Sequence, residues 1–182
     1  MKRFMTMLTG KPTRAAIVFL VLAATVGCDQ STKLIASNTL RDSGTIRVLG
    51  DFFVLRYTVN PGAFLGLGST WPVGLRILVF TVLTAVILAG LLYYALRGKD
   101  LDTRSVLAFS CIAGGGASNL LDRIVNNGYV VDFMNMGIGG LRTGVFNFAD
   151  VFIMAGVAAV ILFQGRGRRP AEAAPSDPAG SG

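Results

Sequence analysis

The chain of 182 residues contains no histidine, and charged residues make up only 15% of it, against roughly 25% in an ordinary soluble domain. Without histidine there is no Ser-His or Cys-His pair and no imidazole to ligate a metal. Any catalysis must run on Asp, Ser, Lys or Tyr, and neither a metal nor a cofactor is expected. Two cysteines, Cys28 and Cys111, are too few for a disulfide framework. They fall at different depths of different apolar segments and read as small buried hydrophobes. No internal repeat is evident.

What the chain has instead is apolar residues, 52% of the total, arriving in long blocks rather than in short alternating pieces. Ile77 to Leu96 is uncharged throughout and, at ~1.5 Å per residue, long enough for the roughly 30 Å hydrocarbon core of a bilayer. Ser105 to Leu121 and Val145 to Phe163 have spanning length but carry Asn119, Asn147 and Asp150. Ala15 to Cys28 reaches that length by continuing through Asp29 and Lys33 to about Ala36. The expected fold is an all-α membrane protein with four transmembrane helices, at about 15–36, 77–96, 105–121 and 145–163.

Basic residues orient the bundle. Lys2, Arg3, Lys11 and Arg14 precede the first span; Arg97, Lys99 and Arg104 sit in the second connection; Arg166, Arg168 and Arg169 follow the last span. Both termini are therefore expected in the cytoplasm, with loops at about 37–75 and 122–144 facing outward. The net charge of +7 reports this orientation rather than a nucleic-acid partner, because the basic residues flank spans and form no single stripe. The basic start followed by Ala15 to Gly27 and Cys28 also resembles a lipoprotein signal peptide. Thr25 is a poor match for that pattern and three spans follow, so an uncleaved first helix is expected. In the first outer loop, Phe53, Leu55, Tyr57 and Val59 alternate with Arg56 and Thr58, which predicts a small extracytoplasmic β-element. The organisation is then a basic cytoplasmic N-terminus (1–14), a four-helix membrane domain (15–164) and a flexible cytoplasmic tail (165–182).

Polar residues inside membrane helices are costly and mark candidate sites. Counted from the cytoplasmic side, Asp29, Asn119, Asn147 and Asp150 all fall in the outer third of the bilayer. Asn119 and Arg123 are spaced i,i+4, and Asn147 and Asp150 i,i+3, so each pair can share a helix face. Single polar residues of this kind are commonly interhelical glue; this many at one depth point to a site open to the outer leaflet. Gly114-Gly-Gly-Ala-Ser118 reads as a close-packing segment, since no lysine follows it as in a phosphate loop. Ser118 with Lys33 as base is a weaker reading. A small proton- or ion-coupled transporter would also use intramembrane Asp and Arg, but would distribute them through the full depth. A purely structural membrane protein is a third class, and it would tolerate Asp→Asn changes.

Five ordered blocks, Asp29-Gln-Ser-Thr-Lys33, Asn60-Pro-Gly-Ala-Phe64, Gly114-Gly-Gly-Ala-Ser-Asn-Leu-Leu-Asp-Arg123, Val130-Val-Asp-Phe133 and Phe146-Asn-Phe-Ala-Asp150, resemble those of the lipoprotein signal peptidase (signal peptidase II) family. The resemblance covers about Ala15 to Phe163. It implies an aspartic endopeptidase of the bacterial inner membrane that cleaves prolipoproteins before a diacylglyceryl-modified cysteine. It assigns catalysis to Asp132 and Asp150, and supporting roles to Asp29, Asn60, Gly62, Asn119, Asp122, Arg123 and Asn147, with Lys33 in the first block. The family usually reads Asn-x-Gly-Ala-Ala-Phe, whereas here the aromatic Phe64 comes one residue earlier. Two carboxylates close together in a dry site share a proton, one acting as base and the other as acid. Asp122 stands as the other candidate for the second acid, and Arg123 is expected to neutralise Asp122 or to meet lipid headgroups. The partners implied are diacylglyceryl-prolipoproteins and membrane lipids, acting on a monomer.

Overall fold

The computed structural model describes residues 11–62, 68, 70–99 and 101–164. The basic residues at 2 and 3, Phe64 and the tail 165–182 lie outside the described residues. Four helices carry the fold: α1 (Lys11–Leu40), α2 (Val73–Arg97), α3 (Thr103–Val125) and α4 (Phe148–Gln164). Between them run β1 (Thr45–Leu49), β2 (Phe53–Asn60), β3 (Val130–Ile138) and β4 (Leu141–Arg142), which form one antiparallel sheet in the order β1-β2-β3-β4. The sheet extends beyond the first loop because the segment after α3 pairs with β2, placing Thr58 opposite Asp132 and Asn60 opposite Val130.

The helices are inside-out relative to a soluble bundle. Phe19, Leu20, Leu78, Val86, Ile87, Ile161 and Leu162 point outward, while Asp29, Lys33, Asn119, Asp122 and Asn147 are buried. Such a surface suits lipid as the surrounding solvent. Two helices, Thr13–Leu40 and Val73–Arg97, are by themselves long and apolar enough to cross a membrane. By contrast α3 is rich in small and polar residues, and it runs through the middle of the bundle with Ala113, Gly114, Gly115, Gly116 and Ser118 buried.

The glycine run explains how α3 occupies that position. Successive residues point about 100° apart around a helix, and each of these glycines meets a different neighbour. A Cβ on Gly114 would run into the Thr25 hydroxyl of α1, one on Gly115 into the Ala149 carbonyl of α4, and one on Gly116 into Leu88 of α2. Three helices thus approach α3 at one level, which is the level of the polar residues. At the other end Arg14 donates to the Gly98 and Leu101 carbonyls at 2.6 and 2.9 Å, closing the α2–α3 turn, and Asp102 caps α3 by accepting from the Ser105 N–H.

The last helix begins later than the apolar run suggests, at Phe148 rather than Val145. Phe146 is held in β-pairing with Met134, exchanging hydrogen bonds of 2.8 and 2.9 Å. Asn147 then caps the helix: its Oδ1 accepts from the Asp150 N–H at 3.0 Å, while Asp150 Oδ2 accepts from the Asn147 N–H at 3.2 Å. This reciprocal arrangement is a capping box in which Asn and Asp serve at N-cap and N3. A second expectation also shifts. Cys28 lies exposed on the helix surface rather than buried, and Cys111 is half-buried; both are free thiols. The sheet buries Phe53, Leu55 and Tyr57 against Ala36, Leu40, Phe133 and Met134, whereas Val59 is exposed beyond the irregularity in β2–β3 pairing.

Close packing at Gly115 predicts a specific sensitivity. Gly115→Ala forces α4 away from α3 against backbone, costing about 1–3 kcal/mol and displacing the start of α4. Gly90→Ala, with open space around it, is expected to be neutral or to gain slightly in helix propensity. Thermal unfolding of both variants in detergent distinguishes them; equal midpoints would refute the packing argument.

Candidate active site

The sheet end of the bundle gathers the polar residues into one network, and its centre is Lys33. The ammonium lies 2.7 Å from Asp29 Oδ2 and 3.0 Å from Asp122 Oδ2, with all three side chains almost fully buried. Its remaining donor goes to Asn119 Oδ1 at 2.9 Å. Asp29 also accepts from the Ser118 hydroxyl at 2.7 Å and, through its other oxygen, from the Ala149 N–H at 2.8 Å. The second of these contacts caps α4 from a neighbouring helix. Asp122 accepts from Gln30 Nε2 at 2.7 Å and from the Val131 N–H at 3.0 Å, fixing the start of β3 beside the end of α3. One buried cation thus ties α1, α3, α4 and β3 together.

Three asparagines connect this cluster to Asp132 and Asp150. Asn119 presents its carbonyl to Lys33, which can only donate, so its amide nitrogen faces Asp150 Oδ1 at 3.0 Å. Asn147 takes the Asp150 N–H on its carbonyl, leaving its nitrogen to reach Asp132 Oδ1 at 2.7 Å and Asn119 Oδ1 at 3.0 Å. Asn60 takes the Gly62 N–H, leaving its nitrogen to reach Asp132 Oδ2 at 2.9 Å. Each amide is oriented by a group that has only a hydrogen to offer. Each therefore turns an N–H toward a carboxylate.

Asp132 and Asp150 line a common cavity of about 610 Å³ with Asn60, Asn119 and Arg123. Below the carboxylates the cavity follows the apolar face of α4 past Val151, Met154, Ala155 and Ala158. Asp132, on β3, is buried, and loss of solvation pushes its pKa up to about 7. The Asn60 hydrogen bond opposes that rise, while the neighbouring Asp150 adds to it.

The structure places the other expected residues as follows. Asp29, Lys33 and Asp122 form the ion-pair cluster and do not line the cavity that holds the two carboxylates. Arg123 does line it, but it makes no salt bridge with Asp122: it donates to the Asn119 and Gly62 carbonyls, both at 3.3 Å. Lys33 neutralises Asp122 instead, because a side chain from α1 enters the bundle there while Arg123 points to the cavity side of α3. Ser118 donates to Asp29 and has no free base, so the Ser/Lys reading loses its geometry. Gln30 was not singled out by sequence; its place one helical turn before Lys33 is the signal that puts it on the same face.

A signal peptidase II family model matches residues 21–164. The chain belongs to the signal peptidase II family. It is 35% identical over 157 residues to the lipoprotein signal peptidase of Bifidobacterium adolescentis, covering 82% of this chain and 76% of that one. It is 36% identical over 149 residues to the lipoprotein signal peptidase of Halothermothrix orenii, covering 81% and 94%. A bacterial membrane enzyme solved by the in meso method at 2.3 Å resolution superposes with a TM-score of 0.73 at 26% identity, over 86% of this chain and 94% of that one. A second, solved at 1.9 Å, gives 0.70 at 25% identity, over 81% and 91%. Membership in signal peptidase II makes the protein a membrane-embedded peptidase, a hydrolase of lipoprotein processing.

The Lys33 cluster yields a prediction about this signal peptidase II's stability. Lys33→Met leaves Asp29 and Asp122 buried without a counter-charge, and it should cost about 3–5 kcal/mol. A thermal midpoint in detergent within a degree of wild type would refute the role given to Lys33.

Proposed function

We propose that this signal peptidase II is an aspartic endopeptidase spanning the inner membrane four times, with both termini cytoplasmic and its site at the outer leaflet. Its substrates are diacylglyceryl-modified prolipoproteins, cut before the lipidated cysteine, and its working form is a monomer. The observation that carries the reading is the pair Asp132 and Asp150 on one cavity, with polar amides above and an apolar face of α4 below. Such a cavity suits a substrate that is polar at the scissile bond and apolar in the part embedded in lipid. The names of the relatives support the substrate class, and the basic residues at the two ends and in the α2–α3 turn support the orientation. α3 spans as the shielded centre of the bundle, which relaxes the need for apolar residues on its surface. A transporter would need polar lining through its depth, whereas the cavity lining beyond Asp150 on α4 is Val151, Met154, Ala155 and Ala158.

In the proposed reaction, Asp150 is the base and Asp132 the acid. Asp150 occupies the N-terminal turn of α4, where the helix dipole favours a negative charge. Burial favours the protonated form of Asp132. Asp150 takes a proton from water as the water oxygen bonds to the scissile carbonyl carbon, and Asp132 gives its proton to the carbonyl oxygen. The tetrahedral diol then collapses: Asp150 returns its proton to the leaving nitrogen, the C–N bond breaks, and a hydroxyl proton returns to Asp132. The products are a carboxylic acid and an amine, and both carboxyl groups end as they began.

Purified protein incubated with a lipid-modified prolipoprotein should release the signal peptide. Asp132→Asn and Asp150→Asn should each lower kcat/KM by at least about 10²–10⁴-fold in a protein that still folds and inserts. Full activity in either variant removes that residue from the pair. Asp122→Asn, by comparison, should act mainly on the thermal midpoint.

The proton on Asp132 also sets a pH dependence. Because the acid must be protonated, kcat/KM should fall as pH rises through about 7, a limb that belongs to the coupled pair. The Asn60 hydrogen bond favours ionised Asp132, so Asn60→Ala raises its pKa further and moves that limb to higher pH. A shift to lower pH, or none, counts against Asp132 as the acid.

A further inference from the structure

Asp150 borders a second, smaller cavity on the α2 side of the site. Its volume is about 260 Å³, and it is lined by Thr84, Gly116, Asn119, Arg123, Asp150, Ile153 and Met154. The larger cavity shares Asn119, Arg123, Asp150 and Met154 with it, so both reach the same carboxylate. At ~30 Å³ per liquid water the smaller one has room for several molecules. Four of the residues that line it, Thr84, Asn119, Arg123 and Asp150, carry polar side chains, unlike the length of α4 that lines the larger cavity.

Two buried polar atoms of α2 and α3 stand out, and one of them, on Arg123, belongs to the wall of this cavity. Arg123 Nε is buried with no hydrogen-bond partner among the described residues, and so is the Thr81 hydroxyl. Hydroxyls inside helices normally turn back onto a carbonyl of their own helix, as Thr25, Thr32, Thr39 and Ser110 do here. Thr81 does not. It lies in a π-helical stretch, Leu78–Leu83, an irregularity that is frequent at functional sites. The face of α2 carrying Thr81 and Thr84 looks at α3, since Ile77 before them packs on Gly128 and Leu88 after them packs on Gly116. Both threonines therefore lie beside the part of α3 that bears Asn119 and Arg123. A buried polar atom without a protein partner, facing a cavity that also presents a carboxylate, an amide and a hydroxyl, is where bound water is found.

We propose that this chamber holds the hydrolytic water and that Thr84, which lines it together with Asp150, is a positioning residue that seats the water against that carboxylate. The inference rests on the proposed aspartic mechanism and deepens it. Substrate occupies the larger cavity, and water reaches Asp150 from the other side without first leaving the polypeptide. The water oxygen forms the new C–O bond, and its proton passes to Asp150.

The test measures kcat and KM for Thr84→Val, Thr84→Ser and Thr84→Ala with a lipid-modified prolipoprotein, alongside Asp150→Asn. Valine keeps the shape of threonine and removes the hydroxyl. It should lower kcat about five- to ten-fold, the scale of one neutral hydrogen bond, with KM unchanged; serine should restore the rate. Alanine, which leaves the chamber larger, should behave as valine does and reads the same split should Thr84→Val fail to insert. Binding of uncleaved substrate to Asp150→Asn should be the same with and without Thr84→Val. An unchanged kcat in both Thr84→Val and Thr84→Ala overturns the proposal, and so does a raised KM or weakened binding, which would make the chamber part of the substrate groove. Activity in Asp150→Asn would instead overturn the mechanism beneath it, so the two failures read differently.

Discussion

The buried ammonium of Lys33 is the constraint on which the rest of the structure depends. A lone cation in a lipid-embedded bundle is untenable, and so are two carboxylates. Together, Lys33, Asp29 and Asp122 can be buried, provided that every remaining donor and acceptor is met. Ser118, Gln30 and the N–H groups of Ala149 and Val131 meet them. Those last two contacts matter most for geometry, because they carry the ion pairs into the backbone. Asp29 grips the first turn of α4, and Asp122 grips the first residues of β3. The proposed catalytic residues sit one residue beyond each grip, at Asp150 and Asp132.

Orientation then passes outward through amides rather than charges. An asparagine side chain is nearly symmetric in shape and wholly asymmetric in hydrogen bonding. Lys33, the Asp150 N–H and the Gly62 N–H each demand a carbonyl, so Asn119, Asn147 and Asn60 have no freedom to flip. Their nitrogens converge on the two carboxylates. Polar networks in low dielectric are stable only when complete, which is why the backbones must approach so closely at Gly114, Gly115 and Gly116. Side chains there would hold the helices apart by more than a hydrogen bond can reach.

Much of this was legible in the sequence, and what was not has identifiable causes. Helix periodicity and the bilayer thickness place Asp29, Asn119, Asn147 and Asp150 at one depth, and the structure joins all four through Asn119, Asn147 and the Ala149 N–H. Asp132 is different. It belongs to a loop by hydropathy, and only the pairing of β3 with β2 and with Phe146 returns it to the cluster; no local pattern encodes that long-range register. The partner of Asp122 was likewise beyond reach, since i,i+4 spacing favours neighbours on the same helix and is silent about a lysine arriving from α1. The apolar run reaches back beyond the start of α4 because Val145 and Phe146 are apolar in either role. Apolar character says that a residue is buried, not whether it is buried in a helix or in a strand.

The division of labour proposed for the two aspartates follows from the elements that carry them. A strand has almost no net dipole, so Asp132 has the Asn60 and Asn147 amides and the more distant charge of Lys33 to offset its loss of solvent, and burial still pushes its pKa up to about 7. Asp150 stands in the first turn of a helix, inside a capping box and facing the positive end of the dipole. Two chemically identical groups are separated in this way into one that keeps a proton and one that accepts it, which is what acid–base hydrolysis requires. Among the described residues neither carboxylate makes a salt bridge, and the chain has no histidine to offer one. Arg123 faces the cavity with the Asn119 and Gly62 carbonyls as its partners among the described residues, and Lys33 acts at a distance, holding the helices whose ends carry the proposed chemistry.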